Sequence, residues 1–301
     1  MNTPAPGRKS KTRRVSGARP IRRRRTAADI QRIERELYEI LDADKPQTVR
    51  QVYYRAVCLG LIEKTEAAYK SIICRLLTAM RKRGEIPFEW LADNTRWMRK
   101  PKTYSSLKSA ILSAQQYYRR DLWMDQDAYV EVWLEKEALA GVLVEVTEEW
   151  DVPLMVTRGY PSLSFLHSAA EQIEDQEKPT HIYYFGDYDP SGLDISRCVK
   201  EGLRDMAPDA DITFARVAVT QDQIEMYGLP TRPTKRTDSR SKAFADYSVE
   251  VDALPAADLR RICRSCIEEH VDRDRHEKLL LVEREERAKF EQIAMRLDEV
   301  A

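Results

Sequence analysis

The sequence predicts an α-helical N-terminal half followed by an α/β half with a mostly parallel sheet. Two patterns predict this. Between Thr26 and Met80 apolar residues recur at helical spacing, in three runs separated by breakers. Between Val130 and Val219 short apolar runs alternate with amphipathic stretches, which implies parallel strands with helices on the faces. A length of 301 residues accommodates one large or two ordinary domains. The patterns divide the chain into an arm (1–26), a helical domain (27–102), a connecting helix (103–122) and the α/β domain with terminal helices (123–301).

The first helix opens at Thr26 with Ile30, Ile33, Leu37, Ile40 and Leu41 on one face, and Lys45-Pro46 breaks it. Thr48 to Leu59 is a second amphipathic helix, stopped at Gly60. Thr65 caps a third, which carries Ala68, Ile72, Ile73, Leu76, Leu77 and Met80 and ends at Gly84. Ile86 to Trp90 reads as a short strand, and Asp93 to Lys102 as a loop. Three helices followed by a strand pair make a winged-helix pattern. The third helix would then enter the groove of duplex DNA, with Lys70, Arg75, Arg81 and Lys82 for phosphates and Arg96 and Arg99 in the loop. A connecting helix spans Tyr104 to Leu122.

In the second half, strands are expected at 130–134, 152–157, 182–185 and 212–219, with helices at 136–150, 161–174 and 191–206. A helical turn follows Gln221, and the polar run from Pro230 to Lys242 reads as a loop or mobile linker. Two helices close the chain, 255–271 and 278–297.

Fifty basic and fifty acidic residues balance, but ten of the basic ones fall within residues 1–26, which hold no acid. A disordered basic arm on an acidic body suggests contact with nucleic acid; a solubilising tail is the alternative. No apolar run reaches membrane-spanning length, and no signal peptide is expected from this sequence. Five cysteines do not suggest a disulfide framework, so a reducing cytoplasm is expected.

The chemistry concentrates in YYFGDYDPSG, Tyr183 to Gly192. Asp187 and Asp189 leave the end of a buried strand at alternating positions, where extended backbone points side chains the same way. Glu135 ends the first strand of the sheet, and parallel neighbours bring their C-terminal ends to one edge. Three oxygen donors with no fixed cation favour Mg²⁺ over Zn²⁺. The same Asp-Pro and Ser-Gly dipeptides also describe a solvated acidic turn. Glu137, in a first helical turn, reads as structural.

In the second helix, Tyr53 joins the apolar stripe of Val49, Ala56 and Val57. Tyr54 lies on another side, four residues from Arg50, whose guanidinium could stabilise a phenolate and hold a phosphate. Taken alone, paired tyrosines on a helix mean packing. Cys263, Cys266 and His270 share a helix face with zinc-like residue types, but their apolar neighbours Leu259 and Ile262 favour buried thiols.

A strand-end glutamate followed by D-x-D-x-x-G two strands later resembles the Toprim fold. A winged helix carrying Arg50-x-x-Tyr53-Tyr54 ahead of it resembles the A subunit of topoisomerase VI and the related meiotic double-strand-break protein. TRGYPSLSFL (Thr157 to Leu166) and VEVDALP (Val249 to Pro255) are similar to further family segments. The compact length resembles the "mini-A" versions found on viruses, plasmids and bacterial genomes. The resemblance implies a homodimer around double-stranded DNA. Tyr54 of one protomer would form a 5′-phosphotyrosyl link, with Arg50 steadying the phosphate. Glu135, Asp187 and Asp189 of the other would hold Mg²⁺. It also implies a GHKL-type ATPase B subunit for strand passage, since the chain lacks a G-x-x-x-x-G-K-[ST] loop. Two other readings stay open: a Toprim nuclease that uses water, and a DNA-binding regulator without catalysis.

Overall fold

The computed structural model describes residues 25–92, 102–234, 244 and 246–297. Nearly all of the basic arm, the loop with Arg96 and Arg99, and residues 235–242 of the polar run lie outside them.

The helical half forms where its caps predict. α1 (Ala27–Ala43) opens on a capping box in which Thr26 and Asp29 satisfy each other's backbone N–H groups. α2 (Val49–Cys58) opens on the equivalent box of Thr48 and Gln51, and it ends before Gly60, whose φ of 68° suits glycine. The third helix runs as one rod, α3, through Glu66–Ala68, a π-helical stretch Tyr69–Cys74 and Arg75–Lys82. The three bury a common core of Ile33, Leu37, Leu41, Val52, Ile73 and Leu77.

The expected strand at 86–90 is instead a 3₁₀ turn, Phe88–Trp90. Pro87 has no N–H to pair, and its carbonyl accepts from Trp90 N at 3.3 Å, closing a turn. Among the described residues, extended pairing here is one bridge between Gln47 and Leu91. The connecting helix is also shorter than expected. α4 (Leu107–Tyr117) stops because residues 118–120 are drawn onto the last helix: Tyr118 Oη donates to Glu286 at 2.6 Å and Arg120 N to Glu283 at 3.0 Å.

The α/β half alternates as predicted: β1 (Tyr129–Leu134), α5 (Ala140–Glu149), β2 (Leu154–Val156), α6 (Leu163–Asp175), β3 (Thr180–Phe185), α7 (Pro190–Met206) and β4 (Ile212–Ala218). The sheet is wholly parallel in the order β2-β1-β3-β4. On one face Val130, Val132, Leu134, Tyr183 and Phe185 join a core continuous with the helical half. On the other, Trp133, Ile182 and Tyr184 meet α6 and α7. α8 (Gln221–Met226) follows, then a two-stranded ribbon of β5 (Arg232–Pro233) and β6 (Tyr247–Ser248). α9 (Ala256–Glu268) packs on α5, and α10 (Arg273–Arg296) lies along α4. No helix among the described residues is long and apolar enough to cross a membrane.

The strand order sets the location of any site. From β1 the chain moves outward to β2, then returns across to β3 on the other side of β1. Strands β1 and β3 therefore flank a topological switch point, and open α/β sheets bind ligands in the crevice beyond the C-terminal ends of such strands.

Beneath that edge, Glu131 on β1 is fully buried and accepts from Trp133 Nε1 at 2.7 Å. Burial pushes its carboxyl from the ordinary 4.5 up to about 7. The folded state therefore holds the proton more tightly, so this group's stabilising contribution is complete below pH 4.5 and lost as pH rises to about 7. Glu131→Gln should weaken the fall in stability across that interval and exceed the wild type by about 1–3 kcal/mol at pH 8. Denaturant unfolding from pH 4 to 8 checks this; an unchanged slope would refute the burial cost assigned to Glu131.

Candidate functional site

The switch point holds the predicted carboxylates. Glu135 follows β1 and its N–H donates to Phe185 O at 2.9 Å, fixing it beside the end of β3. Its Oε2 accepts from Asp187 N at 2.9 Å. Burial first, and then the charge of Asp187, push the Glu135 carboxyl up to about 7. Asp187 is 7% exposed, and burial raises its pKa against the pull of Lys136. Its Oδ1 accepts from Val251 N at 2.8 Å and lies 3.0 Å from Lys136 Nζ. Asp189 is the N-cap of α7: Oδ1 accepts from Gly192 N at 2.8 Å, Pro190 follows at the first helical position, and Oδ2 lies 3.4 Å from Arg232. Thus Glu135 and Asp187 share one buried corner, while Asp189 is engaged as a helix cap. Glu137 pairs with Arg158.

The turn after β3 is shaped by close approach. A Cβ on Gly192 would stand 2.2 Å from Asp187 O and 3.2 Å from Glu135 Oε2, and one on Gly186 would stand 2.5 Å from Glu135 Oε2. Only glycine lets the backbone close around Glu135 here. Arg216 on β4 binds the carbonyls of Gly186 (2.7 Å), Asp187 and Gly192 (3.3 Å).

A second set of groups was not recognised from the sequence as part of the site. Lys136 Nζ lies 2.7 Å from Asp252 and 3.2 Å from Glu250, besides Asp187. Burial opposes its charge, but Asp252, Asp187 and Glu250 together raise its pKa well above the ordinary lysine value. Glu250 also pairs with Arg232 at 2.6 Å and approaches Arg50 at 3.7 Å. Against burial, Lys136, Arg232 and Arg50 hold its carboxyl below the usual range. The available signal was alternation: Glu250 and Asp252 repeat the two-residue spacing of Asp187 and Asp189. Arg216 was signalled by a lone charge within an apolar strand, and Lys136 by its place next to Glu135. Arg232 falls in the run read as linker, yet it is ordered on β5 and joins the site.

Tyr54 and Arg50 reach this network from α2, which packs against the turn Val251–Ala253. The expected contrast between the two tyrosines takes another form. Both are 3% exposed; Tyr53 donates to Thr65 O at 3.3 Å, whereas Tyr54 faces the acidic turn. Burial first, then Glu250, raise the Tyr54 phenol well above 10, and Arg50 only partly opposes them. Arg50 is held by Glu66 at 3.2 Å and lies over the Tyr69 ring at 4.4 Å. On α3, Lys70, Arg75 and Lys82 are exposed, whereas Arg81 stacks over Phe88 at 4.4 Å.

The donor set suits a hard divalent cation: all its ligating atoms are oxygens, and an ammonium already stands in as the cation beside Asp187. As arranged, no three His, Cys, Asp or Glu side chains among the described residues converge into a closed cage. The Cys263 thiol is buried, which pushes it up to about 12, and His270 is turned away to Tyr183 Oη at 2.6 Å and to a stack on His181 at 3.8 Å. No protein-family model matches the chain, and no curated protein matches it.

Gly192→Ala should lower the thermal midpoint strongly, by more than about 2 kcal/mol of stability, because its clash is with backbone. Gly202→Ala, whose added methyl would meet a Leu166 side-chain methyl at 2.8 Å rather than backbone, should cost less. Equal melting of the two variants would contradict the tight turn.

Proposed function

We propose that the chain is a Mg²⁺-dependent enzyme that breaks both strands of DNA through a 5′-phosphotyrosyl intermediate, in the manner of a topoisomerase VI A subunit. Its winged-helix and Toprim halves correspond on this reading to the helical and α/β halves of the fold. One observation carries the proposal: an unbroken ion-pair network joins Arg50, on the helix of Tyr54, through Glu250 and Lys136 to Asp187 at the sheet's switch point. A structural helix pair would not need to share charges with a strand-end carboxylate cluster.

In this reading Tyr54 Oη attacks the phosphorus, the P–O3′ bond breaks, and the 5′ end stays on the tyrosine. Arg50 steadies the phosphate from one turn away, bringing charge-assisted donors to its oxygens. Glu135 and Asp187, with Asp189 released from its capping bond, would hold the cation. A Mg²⁺ ion held by these carboxylates would supply neutralisation of phosphate charge and of the charge on the departing 3′ oxygen. Lys70, Arg75 and Lys82 on α3, with Arg81, Arg96 and Arg99, would hold the DNA backbone. Two protomers astride the duplex, each lending Tyr54 to the other's carboxylates, would cut both strands, and an ATPase partner would supply strand passage. A chain with these partners would work in the cytoplasm, on the nucleoid or on viral or plasmid DNA.

A second reading is favoured by the burial of Tyr54 and the upward shift of its phenol: a metal-dependent nuclease in which water is the nucleophile. The two separate cleanly. Supercoiled DNA incubated with protein and Mg²⁺, then denatured and treated with protease, should yield linear DNA whose 5′ ends carried protein. Tyr54→Phe and Asp187→Ala should each reduce cutting by about 10³-fold or more. Free ends, with Tyr54→Phe as active as wild type, would transfer the assignment to the water nuclease. Duplex binding without any cutting would leave a DNA-binding regulator.

A further inference from the structure

Lys136 contacts three carboxylates at once, and two of them, Glu250 and Asp252, belong to a turn outside the sheet. The same turn donates Val251 N–H to Asp187 Oδ1. Its other side packs on α2, where Tyr54 is 3% exposed. The lysine thus fastens the cover of Tyr54 to a carboxylate of the sheet edge.

We propose that Lys136 is an internal counter-cation that locks the Glu250–Ala253 turn onto Asp187 over Tyr54, and that a divalent cation entering beside Glu135 and Asp187 displaces it and loosens the turn. The inference rests on the reading of Glu135 and Asp187 as ligands of that cation. Its basis is charge and space. An ammonium 3.0 Å from Asp187 and a Mg²⁺ ion at about 2.1 Å from the same carboxylate repel each other strongly in a buried corner. When the lysine leaves Asp187, the turn keeps its Lys136 contacts and the Val251 N–H bond but loses the ionic tie that Lys136 makes to the end of β3. Arg232 and Arg50 still hold Glu250, so the turn loosens without detaching. One exchange of cations would couple loading of the carboxylates to uncovering of the phenol, so an unloaded protomer keeps its nucleophile sheathed.

The test needs no DNA. Calorimetric Mg²⁺ titrations compare wild type, Lys136→Met and Asp187→Asn, and hydrogen exchange follows residues 49–58 and 249–254 with and without Mg²⁺. Lys136→Met should bind Mg²⁺ at least about tenfold more tightly than wild type, since no ammonium has to leave. In wild type, Mg²⁺ should speed exchange in both segments; this arm is independent of whether the variant folds well. A merely structural lysine would give a less stable variant with no gain in Mg²⁺ affinity. Equal affinity in wild type and Lys136→Met, or protection of the turn by Mg²⁺, overturns the proposal. If binding is then still lost in Asp187→Asn, the cation site itself stands. Absence of Mg²⁺ binding in wild type and Lys136→Met alike overturns both.

Discussion

A carboxylate buried to the extent of Asp187 has to be compensated, and much of the molecule is arranged around that requirement. An ionised group without partners in the interior is too costly to keep. Asp187 draws an N–H from Val251 and an ammonium from Lys136, and through them a segment more than sixty residues away in sequence is fixed to the end of β3. That segment leads directly into α9, whose Leu259, Cys263 and Ile267 complete the core on one face of the sheet. Removing either partner would leave charge stranded in the interior, which is the expensive way to break a buried pair.

The same compensation joins the two halves of the chain. Glu250 is shared among Lys136, Arg232 and Arg50, so the helix of Tyr54 is tied to the sheet edge by charge as well as by packing. Farther out, Arg260 on α9 reaches Asp44 and Pro46 O at the end of α1, and Lys64 reaches Pro230 O at 2.6 Å. These contacts orient α2 while leaving one face of α3 exposed. A surface carrying Lys70, Arg75 and Lys82 therefore lies on the same domain as Tyr54.

The sequence was most legible where local signals suffice. Thr26, Thr48 and Thr65 marked three helix starts, and short apolar runs marked four strands. It failed where a neighbour distant in sequence decides. Residues 118–120 leave helical geometry because Glu283 and Glu286 capture them, and nothing local announces that capture. Helical spacing set Tyr54 apart from the apolar stripe of its helix, yet both Tyr53 and Tyr54 are buried in one core, because helical periodicity describes only one helix. It could not show that the second face is buried as well, against the Val251–Ala253 turn.

By itself the sequence determined which residue types stand at the ends of β1 and β3, because strand-end placement follows from apolar run length, and at β3 from the glycine that ends the run. It likewise determined the glycines at 186 and 192 that allow the backbone to close around Glu135. Only the tertiary structure decided how those carboxylates are neutralised. The two-residue spacing of Asp187 and Asp189 suggested a matched pair, whereas folding gave them different tasks: one is buried against Lys136 and the other caps α7. The physical reason is that charge compensation acts through space. Lys136, Arg216, Arg232 and Glu250 come from four separate elements, and their partnership exists only once those elements are packed.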